Sequence, residues 1–242
     1  MNYPESFYNK EGINSQRSAS KIIEILQNFF SPKSVLDVGC GVGSFLKECY
    51  DNGVKDIMGI EGEWVKETQL LIPKDKVANC DLTESFDLRR KFDLVLCLEV
   101  GEHIDEIYSN QLVSDLIRHA DIIAFSAAIP FQHGLHHVNL QWPSYWAEKF
   151  SQRGYLPFDI VRWLVWDDFN VASHYRQNLI VYIKKEKIGE YIPKLPEMTN
   201  LFTRTPISVV APDQYESIYH GDALLSKILK FVLRKHNEWL CR

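Results

Sequence analysis

The stretch Val35-Leu36-Asp37-Val38-Gly39-Cys40-Gly41-Val42-Gly43-Ser44-Phe45 constrains the fold more than any other part of this chain. A short apolar run opens into glycines at alternate positions, and Phe45, Leu46, Cys49 and Tyr50 then carry helical spacing. Such a run predicts a strand buried on both faces, as in a parallel sheet. Strand, glycine turn and helix N-terminus in that order make a nucleotide-binding crevice at the carboxyl end of a sheet. Glycine suits the turn because the backbone bends sharply and must let a ligand come close. The spacing is neither the G-x-G-x-x-G of a dinucleotide site nor a P-loop, because Ser44-Phe45 stands where a P-loop needs lysine followed by Ser or Thr.

A chain of 242 residues has room for one α/β domain with a well-filled core and some decoration. Its 45% hydrophobic and 24% charged residues are ordinary for a globular protein. The net charge of −5 argues against a broad nucleic-acid surface, which needs clustered lysine and arginine. Lys184-Lys185-Glu186-Lys187 and the group Lys227, Lys230, Arg234 and Lys235 read as solvated faces. Cys40, Cys49, Cys80, Cys97 and Cys241 form no C-x-x-C pair, which suggests reduced thiols in a cytoplasm. The first residues show no signal-peptide pattern, and no window reaches the roughly 18 apolar residues of a membrane span. A cytoplasmic protein without a membrane span is expected.

The hydrophobic pattern predicts a helix over Ser18–Phe30 behind Ser and Asn caps, stopped by Ser31-Pro32. Strands are expected at Lys33–Val38, Asp56–Glu61, Lys76–Cys80, Phe92–Leu98 and Asp121–Phe125. Helices are expected from Phe45 to Asn52-Gly53, over Ile104–His119 (Ile107, Leu112, Leu116 and Ile117 inward) and over Pro143–Ser151. Tyr155–Trp166 and Leu179–Ile183 read as two closing strands too close together for another full crossover helix. Strands alternating with helices imply a parallel sheet covered on both faces. Residues 187–242 are expected to form a C-terminal extension, punctuated by prolines and ending in a helix over Ser217–Glu238, behind a first domain of residues 1–186.

The string Leu36-Asp37-Val38-Gly39-Cys40-Gly41-x-Gly43 resembles the first motif of class I S-adenosylmethionine-dependent methyltransferases. The resemblance implies a Rossmann-like α/β fold, a mostly parallel seven-stranded sheet with an antiparallel edge strand, and S-adenosylmethionine as cofactor. Asp37 would organise the loop of Gly39, Cys40, Gly41 and Gly43 and face the amino end of methionine. Glu61, 18 residues after Gly43 and followed by Gly62, stands where a carboxylate takes both ribose hydroxyls; Glu63 is a weaker candidate. Trp64 either covers the adenine or packs in the core. Cys80-Asp81-Leu82 resembles the position that pairs with adenine, Asp81 through its carboxylate and Leu82 through its N–H; alternatively Asp81 caps Thr83-Glu84. Gln16, Arg17 and Ser18 are candidates to close over the methionine carboxylate.

The fourth strand runs into Glu99-Val100-Gly101-Glu102-His103. If this segment turns helically, Glu99, Glu102 and His103 share a face, with Glu99 also beside the cofactor. Two carboxylates and an imidazole suit Mg²⁺, Mn²⁺, Fe²⁺ or Zn²⁺. The E-x-x-E-H pattern resembles the O-methyltransferases of ubiquinone biosynthesis and the enzymes that methylate the terminal ribose 2′-hydroxyl of small RNAs, the latter with a further histidine after the fifth strand. Here that region reads Ile129-Pro130-Phe131-Gln132-His133-Gly134-Leu135-His136-His137-Val138-Asn139. His137 is the preferred fourth ligand, with His136 and His133 in reserve. The other reading makes His137, His136 and His103 metal-free acid–base groups, since a neutral imidazole takes a proton near pH 7.

Residues 14–184, with the histidine loop, the Tyr145-Trp146 helix and Arg176-Gln177-Asn178-Leu179, resemble methyltransferases encoded with bacterial surface-polysaccharide genes. The resemblance implies methyl transfer to a hydroxyl of a sugar or glycan precursor. Carboxylates and imidazoles at the methyl end favour oxygen, because a metal bridging vicinal hydroxyls lowers one pKa. The aromatics around Trp142, Tyr145, Trp163 and Trp166 offer faces for sugar rings, although Trp146 and Phe150 fit the core. The expected partner is a small-molecule or saccharide substrate rather than nucleic acid. Exposed aromatics and the terminal helix offer a homodimer surface.

Overall fold

A computed structural model describes residues 5–63, 65–132, 134–191 and 208–211, with side chains from residue 15 onward. By internal contacts the chain divides into units 1–208 and 209–242, and of the second only 209–211 are described. The terminal helix expected over Ser217–Glu238, Trp64, His133 and Cys241 lie outside the described residues.

In the first unit, helix α1 (Glu5–Phe30) leads into β1 (Ser34–Val38), α2 (Ser44–Asp51), β2 (Asp56–Glu61) and β3 (Val77–Asn79). Then come β4 (Leu94–Leu98), α3 (Ser109–His119), β5 (Ile122–Ser126), α4 (Pro143–Ser151) and β6 (Tyr155–Phe158). The segment closes with α5 (Val161–Val165), α6 (Ser173–Asn178), β7 (Ile180–Lys184) and α7 (Ile188–Tyr191). The seven strands form one sheet in the order β3-β2-β1-β4-β5-β7-β6. Strands β1 to β5 are mutually parallel, in register from Ser34 opposite Asp56 to Leu98 opposite Ser126. The antiparallel strand at the other end is β7, second from the rim, between β5 and β6.

Alternation along each strand assigns side chains to two layers. Val35, Leu94, Leu96, Ile122 and Ala124 pack under α1, α2, α5 and α6. Leu36, Val38, Val95, Cys97, Ile123 and Phe125 pack under α3 and α4. This is the Rossmann-like class I methyltransferase fold, and it carries the glycine turn, Glu61, Asp81, Glu99 and the loop after β5 on one edge, at the carboxyl ends of the parallel strands.

Three expectations need correction. The first helix begins at Glu5 rather than at Ser18, so the Ser and Asn residues before Ser18 are no caps; Ser18 itself is buried mid-helix, with Oγ accepting from Ala172 N–H at 2.9 Å. The strand expected over Tyr155–Trp166 ends at Phe158 and gives way to α5. There Val161, Arg162 and Val165 are inward while Trp163 and Leu164 are outward, a helical rather than alternating pattern. The fully buried Asp159 accepts from Arg162 three residues on, and Arg162 Nη1 also donates to the Gln177 carbonyl, which locks that turn. Helix α3 starts at Ser109 behind a 3-10 turn at Glu106–Tyr108, which leaves Ile107 79% exposed.

Helix α4 matters most for the site. Trp146 is buried against Phe125, their ring centroids 4.8 Å apart. A methyl group at Gly101 would lie 2.8 Å from Trp146 Cζ2, so the Glu99–His103 segment rests directly on this ring. Trp146→Ala is expected to cost about 3–5 kcal/mol, read as a lower urea midpoint with an unchanged slope.

Candidate active site

The glycine turn has a steric reason for every glycine. Gly39, Gly41 and Gly43 adopt φ of 76°, 55° and 85°, the left-handed region that side chains disfavour. A Cβ at Gly39 would lie 2.4 Å from Val100 Cγ2, and one at Gly43 would lie 2.9 Å from Ile72 Cγ1. Gly39 and Cys40 donate to the Ile60 carbonyl, which ties the turn to β2. Glu61, at the end of β2, accepts from Gly41 N–H at 2.5 Å and from Gly62 N–H at 2.9 Å. The carboxylate proposed for the ribose is thus held over the glycine turn, almost fully buried.

Asp37, in β1, is buried as well. Burial, and then the charge of Glu61, push its carboxyl up to about 8. Burial likewise raises the Cys40 thiol, with Asp37 and Glu61 adding to the rise. Asp81 is exposed, and its Oδ1 accepts from Thr83 N–H at 2.9 Å and Thr83 Oγ1 at 2.8 Å; these bonds hold its carboxyl below the usual range. No helix follows it, so the motif is a turn rather than a cap. Leu82 is half-buried against the α3–α4 layer. Gln16 and Arg17 are exposed.

The second half of the site starts at the end of β4. Glu99 takes φ 55°, and its N–H is held by both the carbonyl and the hydroxyl of Ser126, each at 3.0 Å. A 3-10 turn over Gly101–His103 follows, so the segment is not the continuous helix assumed for it. Glu102 is 1% exposed, and its Oε2 has no hydrogen-bond partner. Burial drives its carboxyl well above the carboxylate range, and Glu99 adds to the rise. His103 is pushed down to about 4 by burial and then by His137, so it is neutral at pH 7.

The histidine loop is fastened to this turn. Val138 and Asn139 both donate to the Glu102 carbonyl, at 2.8 and 3.1 Å. Asn139 Nδ2 donates to the Gly101 carbonyl and to Ser109 Oγ. The rings of His103 and His137 meet edge to face, 4.9 Å between centroids. Nδ1 of His137 lies 2.8 Å from the Gln132 carbonyl, which fixes that nitrogen as the N–H and leaves the lone pair on Nε2. A Cβ at Gly134 would lie 2.2 Å from that Nε2, so a side chain there would displace the His137 ring.

Glu102, His103 and His137 thus each present one donor atom, all within 4.8 Å of one another. One carboxylate and two imidazoles, with a buried oxygen otherwise unpartnered, form a donor set that fits a divalent cation. Glu99 lies outside this group, with Asn178 Nδ2 donating to its carboxylate. His136 is exposed, at φ 58°. Gln132, Asn139 and Asn178 are the site residues the sequence did not single out; only the H-V-N triplet and the Arg176–Leu179 run hinted at two of them.

Residues 12–122 match the family model for a methyltransferase domain, a little under half of the chain. No curated protein matches the sequence. Among solved structures, the sugar N-methyltransferase KedS8 from a Streptoalloteichus species is 17% identical with TM-score 0.58, covering 76% of this chain and 94% of its own. DesVI of Streptomyces venezuelae is 16% identical with TM-score 0.53, covering 74% and 95%. The plantazolicin methyltransferase BpumL, solved with an analogue and S-adenosylhomocysteine, is 16% identical with TM-score 0.53, covering 74% and 88%. Residues 12–122 are thus similar to a methyltransferase domain, and the fold of the chain is that of the class I methyltransferases. No helix among the described residues is long and apolar enough to cross a membrane.

The raised Asp37 carboxyl gives a pH signature. If Asp37 faces the cofactor's ammonium group, binding expels its proton, and affinity for S-adenosylhomocysteine should fall by up to about tenfold per pH unit below about 8. For the chain alone the sign reverses: a neutral buried Asp37 is favourable, and stability declines as pH rises from about 4 through about 8. Calorimetry between pH 6 and 9 should show the slope in the wild type and a flat profile in Asp37→Asn. A flat wild-type profile would remove Asp37 from this role.

Proposed function

We propose that this chain is an S-adenosylmethionine-dependent O-methyltransferase acting on a hydroxyl of a sugar or glycan precursor, assisted by a divalent cation. The observation that carries this reading is the convergence of Glu102, His103 and His137, where a carboxylate oxygen without a partner meets a neutral imidazole and a second imidazole of fixed tautomer. Glu102 and His103 follow β4 and His137 follows β5, and β4 is adjacent in the sheet to β1, which leads into the glycine turn.

Transfer is an in-line displacement: the acceptor oxygen bonds the methyl carbon, the carbon–sulfur bond breaks, and the hydroxyl proton leaves. Much of the rate comes from positioning. Glu61 would take the ribose hydroxyls, Asp37 the ammonium group, and the Gly39–Gly43 backbone the approach of the nucleoside. A cation held by Glu102, His103 and His137 would supply Lewis acidity to the acceptor hydroxyl. His136, exposed on the same loop, stands in reserve as a proton acceptor. The sugar acceptor is supported by the likeness to a sugar N-methyltransferase and by exposed Trp142 beside the histidine loop.

One observation favours a second reading. His103 is neutral with a lone pair, so it would also accept a hydrogen bond from a metal-free amine or hydroxyl acceptor and orient it, while a group held down at about 4 is too weak a base to keep the proton. EDTA separates the two. Glu102→Ala and His103→Ala are expected to lose about 10²–10³-fold of a metal-reversible methyl transfer, while S-adenosylhomocysteine still binds. The assay is transfer of labelled methyl to a panel of sugars, with mass spectrometry locating the methyl group. Full activity in excess EDTA would select the histidine reading instead.

A further inference from the structure

Residues 159–179 join β6 to β7, and they begin and end at the edge of the sheet that carries the candidate site. Strand β6 runs in the same direction as β5, since both are antiparallel to β7, and its last residue, Phe158, lies opposite Val181. Strand β7 starts with Ile180 opposite Phe125, near the end of β5. The crossover therefore leaves and returns beside the loops that follow β4 and β5. Asn178, at its end, donates to the Glu99 carboxylate at 3.1 Å. Three apolar side chains of this crossover stand in solvent: Trp163 is 37% exposed, Leu164 47% and Phe169 78%.

The rings among them are held in place. Trp163 leans on Trp166, with centroids 5.1 Å apart and planes 31° apart. Arg176, itself buried, donates from Nη1 to the Trp166 carbonyl at 2.8 Å and from Nε to the Val171 carbonyl at 3.0 Å. Its guanidinium lies over the Phe169 ring, 4.8 Å from the centroid. One buried cation thus fixes both ends of the Trp166–Val171 turn and backs one face of Phe169, while the exposure of that ring leaves its other face to solvent. Exposed apolar groups gathered in one place mark binding surfaces.

The polar groups beside the rings choose the occupant. Residues 163–170 read Trp-Leu-Val-Trp-Asp-Asp-Phe-Asn, with two carboxylates, a carboxamide and no lysine or arginine. Such a surface repels phosphates, acidic lipid headgroups and nucleic acid, and it offers oxygens to hydroxyl donors. The C–H face of an uncharged pyranose is apolar and weakly positive, which matches the negative face of an aromatic ring. Building on the sugar-acceptor reading above, we propose that Trp163 and Phe169 form a second saccharide subsite. It stacks a neutral sugar ring of the acceptor other than the ring that is methylated. The acceptor is then an uncharged oligosaccharide rather than a free monosaccharide.

The test is calorimetry on the full chain with S-adenosylhomocysteine present. The probes are neutral gluco-, manno-, galacto- and N-acetylglucosamine-based di- to hexasaccharides, their monosaccharides, and acidic oligogalacturonate. At least one neutral oligosaccharide should bind about tenfold or more tighter than its monosaccharide and than oligogalacturonate. Trp163→Ala and Phe169→Ala should each weaken that binding about tenfold and leave S-adenosylhomocysteine affinity within about twofold, whereas Phe169→Tyr, which keeps the ring, should retain it. In methyl transfer to the same oligosaccharide both alanine variants should raise KM and keep kcat. Binding of no neutral oligosaccharide, or binding that survives both alanine substitutions, would overturn the proposal. So would a wild-type dimer that both substitutions dissociate in light scattering, which would give these rings to a second copy. Failure of the sugar-acceptor reading looks different: labelled methyl then reaches no sugar of the panel, and the subsite falls with it. Failure of the subsite alone leaves methyl transfer to sugars intact and insensitive to Trp163 and Phe169.

Discussion

The Glu102 carbonyl accepts the N–H groups of both Val138 and Asn139, and this pair of hydrogen bonds joins the two parts of the site. One part is the turn after β4; the other is the loop after β5, and strand pairing alone would leave that loop unplaced. Asn139 strengthens the joint through Gly101 and Ser109, and Trp146 supports it from below. The arrangement strains the backbone. Glu99, Phe131 and His136 are three of the five non-glycine residues with positive φ among the described residues. Strain of this kind persists where the surroundings over-determine it, and it collects at functional sites.

The charge distribution has the same logic. Asp37 and Glu61 are buried at one end of the site and Glu102 at the other. Buried acids are costly unless paired. The chain shows what a self-sufficient pair looks like: Asp159 and Arg162 are both fully buried and bonded to each other. Asp37 and Glu102 instead sit with their carboxyls raised, Asp37 by burial and Glu61, Glu102 by burial and Glu99. On the proposed reading, that state would be resolved by cations arriving from outside, an ammonium and sulfonium at one end and a divalent ion at the other.

Much of this was legible in the sequence, for identifiable reasons. The turn at Gly39–Gly43 reads clearly because a left-handed backbone leaves a glycine at each position. Strands β1, β2, β4 and β5 read as apolar runs because both faces are covered. The Glu99–His103 segment was legible in composition but not in shape: a helical spacing rule places Glu99 with Glu102 and His103, whereas φ 55° at Glu99 turns the chain. Helix α5 was hidden because Val161–Val165 is apolar enough to pass for strand, and the buried partner that fixes it, Gln177, lies fifteen residues on. The Arg176–Leu179 run hinted at Asn178 but not at its role, because its bond is to a glutamate 79 residues away. Local pattern reports local geometry; contacts closed by the fold leave little trace in it.

The most direct test of the account is a crystal structure of the full chain with S-adenosylhomocysteine and Zn²⁺, with anomalous scattering used to find the metal. The account predicts one ion about 2.0–2.2 Å from a Glu102 oxygen and from a ring nitrogen of His103 and of His137. It also predicts ribose hydroxyls on Glu61 and the homocysteine sulfur facing the ion. An ion elsewhere, or a bound cofactor with no ion between those three side chains, would contradict it.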